Sequence, residues 1–174
     1  MEKYKIVKKL GDGTFGSVSQ AKHLQSGEIF AIKKLKEKFF NWQNCLDLPE
    51  TRALVKLNHP NIVKLYEVIK QKNELYLVFE YLDQNIYQLL KDRRRPLGEI
   101  EIRNIMFQTL QGLYYIHKIG YFHRDLKPEN LLEFKGTIKI ADFGLAKEIN
   151  FKPPFTDYVS TRWYNIFLSW VTTK

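Results

Sequence analysis

The loop at residues 123–130 carries the densest set of side chains that could do chemistry. Its sequence is HRDLKPEN, in which Asp125 is followed by Lys127 and then by Asn130. The carboxylate can accept the proton of an attacking hydroxyl, the ammonium can neutralise a transferring phosphate, and the amide oxygen suits Mg²⁺. A chance polar loop seldom places all three groups at this spacing, so the loop points to phosphoryl transfer.

A second hard oxygen ligand follows in the tripeptide Asp142-Phe143-Gly144, after an apolar stretch. Alone, this tripeptide is common in turns. Placed after the loop at residues 123–130, its carboxylate is predicted to be a second ligand for Mg²⁺.

A glycine-rich segment near the N-terminus could hold phosphates. Residues 11–18 read GDGTFGSV, and glycines let backbone amides approach phosphate oxygens that a side chain would block. A plain glycine hairpin is an alternative, whereas a dinucleotide-binding fold would need a helix where residues 18–21 read as strand. Lys33, in the sequence FAIK, could clamp two phosphates, although lysines on strands are most often solvated.

Periodicity predicts a scaffold in two parts. The first, residues 1–83, is a small α+β lobe with one helix around residues 47–57 and strands at residues 4–10, 17–21, 29–35, 62–69 and 75–79. The second, residues 84–164, has apolar residues at helical spacing over residues 102–117 and a hairpin-like pair at residues 131–132 and 138–140. Residues 165–174 form a separate tail.

Composition narrows the class of protein. The 174 residues are 44% hydrophobic and 27% charged, which is ordinary for a globular chain, and the single cysteine fits a reducing setting. Neither a signal peptide nor an apolar run long enough to span a membrane is visible. The net charge of +9 is densest at residues 91–95, most often a solvated face. Because no aromatic residues alternate with these basic ones, we do not expect nucleic acid as a partner.

The four motifs in this order resemble the signature set of protein kinases, over residues 4–164. The loop form with Lys127 and Pro128 is similar to the serine/threonine branch. Residues 156–164, TDYVSTRWY, resemble an activation segment with a T-x-Y phosphorylation motif. Residues 38–42, 85–89 and 121–123 are most similar to the male germ cell-associated and intestinal cell kinase group, relatives of the MAP and cyclin-dependent kinases.

The resemblance implies an α+β bilobal kinase fold, with a five-stranded antiparallel N-lobe containing one helix and an incomplete, mostly helical C-lobe. It implies transfer of the γ-phosphoryl of MgATP to serine or threonine hydroxyls of a protein substrate. The alternative is an ATP-binding regulatory fragment without activity. An activating kinase would act at Thr156 and Tyr158. The expected location is the cytoplasm, with nucleus and cilium as alternatives.

The resemblance also implies a role for each site residue. Asp125 would be the catalytic base, Lys127 would support the γ-phosphate, and Asn130 and Asp142 would hold Mg²⁺. Lys33 would grip the α- and β-phosphates while paired with Glu50, and Arg124 would meet a negative activation loop. The remaining nucleotide-binding positions are those of the glycine-rich loop, the adenine walls and the strip behind them: Leu10, Gly11, Asp12, Gly13, Thr14, Phe15, Gly16, Ser17, Val18, Ala31, Phe79, Glu80, Leu82 and Leu132.

Two departures from the family alter these expectations. Relatives carry arginine where this chain has Pro49, so the helix is expected to begin late, with Asp47 as its N-cap. Glu50 could then cap the backbone instead of pairing with Lys33. After Tyr164 the family's Ala-Pro-Glu segment and later helices do not follow. We therefore expect exposed apolar faces, impaired activity, and a tail that arose by frameshift or read-through.

Overall fold

The computed structural model describes residues 1–13 and 15–149. Its first part is a five-stranded antiparallel sheet in the order β1-β2-β3-β5-β4. The strands are β1 (Tyr4–Asp12), β2 (Gly16–His23), β3 (Ile29–Leu35), β4 (Leu65–Gln71) and β5 (Glu74–Glu80). The predicted five-stranded antiparallel lobe is confirmed.

The fourth strand begins later than the predicted start at Ile62. The backbone around Ile62 bonds to residues of the second part instead: the N–H of Ile140 donates to the Asn61 carbonyl, and the N–H of Val63 donates to the Ile140 carbonyl, both at 2.9 Å. Ile62 and Ile140 therefore form a parallel bridge outside the sheet. A local apolar pattern cannot distinguish this pairing from a longer strand.

The helix predicted at residues 47–57 is α2 (Pro49–Lys56), and a further short helix that was not predicted, α1 (Trp42–Leu46), precedes it. Asp47 is not the N-cap of the second helix; it ends α1, and Leu48 takes the N-cap position of α2 without a side-chain bond. Pro49 occupies the first turn, where a missing N–H costs no hydrogen bond. The proline is thus accommodated because α2 begins at this residue.

The second part contains two helices and several short strands. The helices are α3 (Ile86–Asp92), which was not predicted, and α4 (Glu99–Lys118), which was. The strands form two small sheets: β6 (Gln84–Asn85), β8 (Leu131–Phe134) and β9 (Thr137–Ile140), and separately β7 (Tyr121–Phe122) with β10 (Lys147–Glu148). None of the described helices is long and apolar enough to cross a membrane.

One apolar core joins the two parts. It includes Leu77 of the large sheet, Leu54 of α2, Ile116 of α4, Ile140 of β9 and Phe143. The opposite side of α4 is solvated, and its most exposed large apolar residues are Ile100, Phe107 and Tyr114. The expected exposure of apolar side chains is therefore present along this helix. The core fixes β9 and α2 against each other, which positions the polar groups described next.

Candidate active site

A buried ion pair links β3 to α2. Both carboxylate oxygens of Glu50 accept from the Lys33 ammonium, at 2.9 and 2.8 Å. The same ammonium lies 3.1 Å from Oδ1 of Asp142. Glu50 therefore does not cap its own helix, and that alternative is wrong, because its side chain points inward, where it is 5% exposed. Three predicted site residues from distant stretches meet at one ammonium.

The Lys33 charge acts differently on its two carboxylate partners, since burial and the nearby Asp142 charge raise the pKa of Glu50 above its ordinary value in spite of Lys33. Burial alone would lower the pKa of Lys33, but Glu50 and Asp142 outweigh burial and the pKa lies above its ordinary value. Burial alone would raise the pKa of Asp142, but the Lys33 charge overcomes it and the pKa lies below its usual value. Lys33 and Asp142 are thus both held charged at neutral pH.

The loop at residues 123–130 gathers a second cluster. Oδ2 of Asp125 accepts from Nζ of Lys127 at 2.7 Å and from Nδ2 of Asn130 at 3.0 Å. Asn130 also donates to the Asp125 backbone carbonyl at 2.8 Å. Because its amide nitrogen is committed to Asp125, the Asn130 side chain has its oxygen left to meet a cation. A short 3₁₀ turn, Pro128–Asn130, sets this geometry.

His123 supports the loop from beneath. Its ring is 2% exposed and packs edge-on against Phe143, with ring centroids 4.9 Å apart. Burial lowers the pKa of His123, so the imidazole is neutral. A neutral ring suits its two contacts: Nε2 donates to the Ala141 carbonyl at 2.9 Å, and Nδ1 accepts from the Asp125 N–H at 3.2 Å. The ring thus ties Asp125 to the segment that carries Asp142.

Two residues of the site have left-handed backbones. Arg124 has φ of 65° and Asp142 has φ of 63°. A residue other than glycine keeps this backbone conformation only when its surroundings hold it there, at a cost on the order of 1–3 kcal/mol. For Arg124, one such restraint is the bond from its Nε to the Leu145 carbonyl at 2.7 Å. The strain is located at two residues of the candidate site.

The Lys33 cluster and Asn130 of the second cluster line a cleft of about 600 Å³ between the two parts, whereas Asp125 and Lys127 are not among its lining residues. Most of the residues predicted to bind a nucleotide or a metal line it, as does Glu50: Leu10, Gly11, Asp12, Gly13, Phe15, Gly16, Val18, Ala31, Lys33, Phe79, Glu80, Leu82, Asn130, Leu132 and Asp142. Ser17 is not among the lining residues; it lines a separate groove with Lys34, because successive side chains of a strand alternate between faces. Thr14, Thr156 and Tyr158 lie outside the described residues.

Sequence reasoning missed three groups of residues in or next to the site. No role was predicted for His123, although its burial and its two hydrogen bonds give it a structural one. Glu148 and Tyr121 pair across β10 and β7, and no local pattern announces such a long-range contact. The Asn85 and Gln88 side chains at the cleft rim belong to the unpredicted α3 region.

The oxygen donors of the cleft suit an Mg²⁺ ion that the protein and substrate phosphates bind together. Among residues 1–13 and 15–149, no cluster of three histidines, cysteines or carboxylates could hold a metal by itself. Asp142 and Asn130 offer one carboxylate and one amide. Mg²⁺ is usually bound in this way, through one or two protein oxygens together with substrate phosphates. The donor set fits Mg²⁺ with a polyphosphate and does not suit a metal held only by protein.

A two-part fold with a glycine-rich cleft, a lysine–glutamate pair and an Asp-Lys-Asn loop defines a class of phosphotransferase. Comparison with known families gives the same class: residues 4–165 match the protein kinase domain. This chain belongs to the protein kinase domain family, whose members generally use ATP and Mg²⁺.

Individual relatives narrow the similarity. The chain is 58% identical to "Serine/threonine-protein kinase ICK" of Rattus norvegicus over 165 residues, which cover 94% of this chain and 26% of that protein. It is 56% identical to "Serine/threonine-protein kinase MAK" of Homo sapiens, with the same coverage. It is 57% identical to "Cyclin-dependent kinase F-3" of Oryza sativa subsp. japonica over 164 residues, which cover 94% of this chain and 38% of that protein. The predicted similarity to this group of serine/threonine kinases is confirmed, and the chain spans between about a quarter and two fifths of the length of these relatives.

Proposed function

We propose that this chain binds MgATP and transfers its γ-phosphoryl group to serine or threonine hydroxyls of a protein substrate. The observation that carries the proposal is that Lys33, Glu50, Asp142 and Asn130 line one cleft. Asn130 is bonded in turn to Asp125, which also accepts from Lys127. These groups are the parts that phosphoryl transfer needs: cations for phosphate, oxygen ligands for Mg²⁺, and an acceptor for a proton.

The upper part of the cleft suits a nucleotide. Leu10, Val18, Ala31 and Leu132 supply apolar walls for a purine. The Glu80 N–H already donates to the Lys64 carbonyl at 3.1 Å, so the backbone group that Glu80 offers to the purine edge is its own carbonyl, an acceptor. Lys33 lines the same cleft, and in this proposal its ammonium holds the α- and β-phosphates.

The lower part suits the chemical step. In this proposal the substrate hydroxyl oxygen attacks the γ-phosphorus, the bond from that phosphorus to the β,γ-bridging oxygen breaks, and ADP leaves. The hydroxyl proton passes to the Asp125 carboxylate, which Asn130 and Lys127 orient through Oδ2. Lys127 donates to Asp125, and in this proposal its ammonium turns from that carboxylate to the transferring phosphate. Mg²⁺, held by Asn130 and Asp142, would neutralise charge on the phosphates.

A transfer assay tests the catalytic half of the proposal. The full 174-residue chain is incubated with ATP labelled in the γ-phosphate, with Mg²⁺ and a mixed-sequence protein acceptor. Asp125→Asn should abolish the label on serine and threonine, and Asp92→Asn, the same change at an exposed position of α3, should leave it intact. Transfer that survives Asp125→Asn at the normal rate would overturn the assignment of the base.

A binding assay separates the two functional readings. Lys33→Met should abolish the heat of MgATP binding in titration calorimetry. Lys34→Met is the matched control, because its ammonium pairs with Glu74 in a different groove, at 2.6 Å. Binding without transfer would favour the regulatory fragment, and absence of binding to the unaltered chain would contradict both readings.

Regulation belongs to the same proposal. We infer that an activating kinase phosphorylates Thr156 and Tyr158, and that Arg124 receives the added charge. The kinase and the physiological substrate are proteins of the compartment in which this chain acts, which we propose is the cytoplasm, nucleus or cilium. Mass spectrometry of the chain isolated from cells, before and after phosphatase treatment, tests the two sites.

A further inference from the structure

A charged cluster outside the cleft bridges α2 and the strands beneath it. Oε1 of Glu148, in β10, accepts from Nζ of Lys56 at 3.1 Å and from the Tyr121 hydroxyl at 2.7 Å. Nη2 of Arg52 lies 3.7 Å from the same oxygen. Arg52 and Lys56 are four residues apart on α2 and so share one face of it. A single carboxylate thus accepts two hydrogen bonds, one from each part of the fold, and forms a longer ion pair with Arg52.

The cluster acts on the helix that supplies Glu50. At residue 49 this helix has a proline in its first turn and no side-chain N-cap, so its N-terminal end lacks one ordinary restraint. Its buried face carries Glu50 and Leu54. On its other flank, Lys56 meets Glu148 and also lies 5.2 Å from the Tyr121 ring centroid. The contacts of Glu148 restrain α2 from that side.

The other end of the cluster reaches the loop at residues 123–130. Glu148 pairs with Tyr121 in the β10–β7 ladder, and Lys147 pairs with Phe122. The N–H of Ile149 donates to the Gly120 carbonyl at 2.8 Å. Since β7 ends at Phe122, directly before His123, any displacement of this ladder would also move the start of the loop at residues 123–130. Glu148 is therefore linked to both halves of the candidate site.

We propose that Glu148 is a positioning residue: through Lys56, Arg52 and Tyr121 it holds α2 against β7, so that Glu50 stays paired with Lys33. The proposal rests on the proposed kinase function for its consequence in activity, but the position of α2 can be measured without activity.

The ion pair between Glu148 and Lys56 is strengthened by the hydrogen bond that Glu148 already accepts from Tyr121. Side chains of Glu148 and Lys56 are 40% and 53% exposed, and ion pairs as exposed as this are weak when both partners must be ordered on contact. Here Tyr121 is 3% exposed and its hydroxyl donates to Glu148, so a buried side chain restricts Glu148 in addition to Lys56. The Tyr121 bond and the Lys56 charge both lower the pKa of Glu148, which keeps it ionised.

Charge substitutions test the coupling in the transfer assay. Glu148→Gln should lower kcat/KM by about 3- to 10-fold, the range expected for one or two exposed pairs, while KM for the protein acceptor is unchanged. Glu148→Lys and Lys56→Glu should each lower kcat/KM, and the two together should recover part of the loss, because Arg52 still repels the lysine at position 148. Glu99→Gln, which breaks an exposed pair with Arg103 in α4, is the control. An unchanged rate in Glu148→Gln, or a double variant no better than either single one, would overturn the proposal.

A distance measurement separates this proposal from the kinase function. Spin labels on Val55→Cys in α2 and Tyr114→Cys in α4, both exposed positions, with the buried Cys45 replaced by alanine, report the separation of the two helices. The chain should give one narrow distance, which Glu148→Gln broadens or lengthens and Glu99→Gln does not. If the unaltered chain transfers no phosphate, the kinase proposal fails while this measurement still decides the role of Glu148. An identical distribution in Glu148→Gln would refute it.

Discussion

The packing of α4 on β9 depends on a glycine, which gives a sharp prediction. At Gly112 a Cβ atom would lie 2.9 Å from the Asn61 carbonyl oxygen and 2.9 Å from Cδ1 of Ile140. The Asn61 carbonyl cannot move freely, because it accepts the N–H of Ile140. We predict that Gly112→Ala destabilises the protein, although alanine is the better helix residue.

The magnitude follows from two opposed effects. Replacing glycine by alanine inside a helix normally gains about 1 kcal/mol. Overpacking a close contact costs about 1–3 kcal/mol, and here one of the two contacted atoms is backbone. The Ile140 methyl can rotate away, but the Asn61 carbonyl cannot, so we expect a net loss of about 1 kcal/mol. This corresponds to about 2–4 °C in Tm for a chain of this size.

The assay is urea unfolding of the chain followed by tryptophan fluorescence and circular dichroism. The neighbouring exposed residue Gln111 provides the matched control: Gln111→Ala minus Gln111→Gly measures helix propensity alone, and we expect alanine to be better by about 1 kcal/mol. At Gly112 the sign should reverse. Stabilisation of Gly112→Ala by as much as the Gln111 difference would refute the close approach of α4 to Asn61.

Three further predictions concern single groups. Burial lowers the pKa of His123, so the unfolded chain binds the proton more readily; stability should be unaffected above a pH of about 6.5 and should fall as the pH drops below it, with a shallower fall in His123→Gln unfolding curves. Burial raises the pKa of the Cys45 thiol, so iodoacetamide should label the folded chain at least about tenfold more slowly than the chain in urea, and equal rates would contradict its burial. The Asn85 side chain accepts from the Gln88 N–H at 2.7 Å as the N-cap of α3, so Asn85→Ala should cost about 0.5–2 kcal/mol in urea unfolding while Asn85→Asp retains most of the stability.

The sequence allowed much of the fold to be predicted, because its strongest signals are local. Alternation along β5 and the long apolar period of α4 identified these elements, and the spacing of Asp125, Lys127 and Asn130 indicated the loop of the candidate site. These three side chains come from one short loop, so their proximity is dictated by the chain itself.

The errors arose where long-range contacts decide the outcome. The parallel bridge of Ile62 to Ile140 removed three residues from the predicted fourth strand. The break between α1 and α2 placed Asp47 at the end of one helix, not at the start of the next. The contact of Glu148 with Lys56 spans 92 residues, which a periodicity argument cannot detect. The seven-residue α3 is too short to show a helical period.

The left-handed backbones of Arg124 and Asp142 imply that the candidate site lowers the stability of the fold, because both residues adopt a strained conformation. Glycine tolerates that conformation without the side-chain penalty, so Arg124→Gly and Asp142→Gly should relieve local strain even as they remove a guanidinium and a carboxylate. Lys72 and Lys135 share the same backbone conformation in the turns between β4 and β5 and between β8 and β9, and neither lines the cleft. Glycine at those two turns should therefore stabilise the protein without removing a side chain from the cleft, whereas glycine at Arg124 or Asp142 would gain stability only by removing a group of the candidate site.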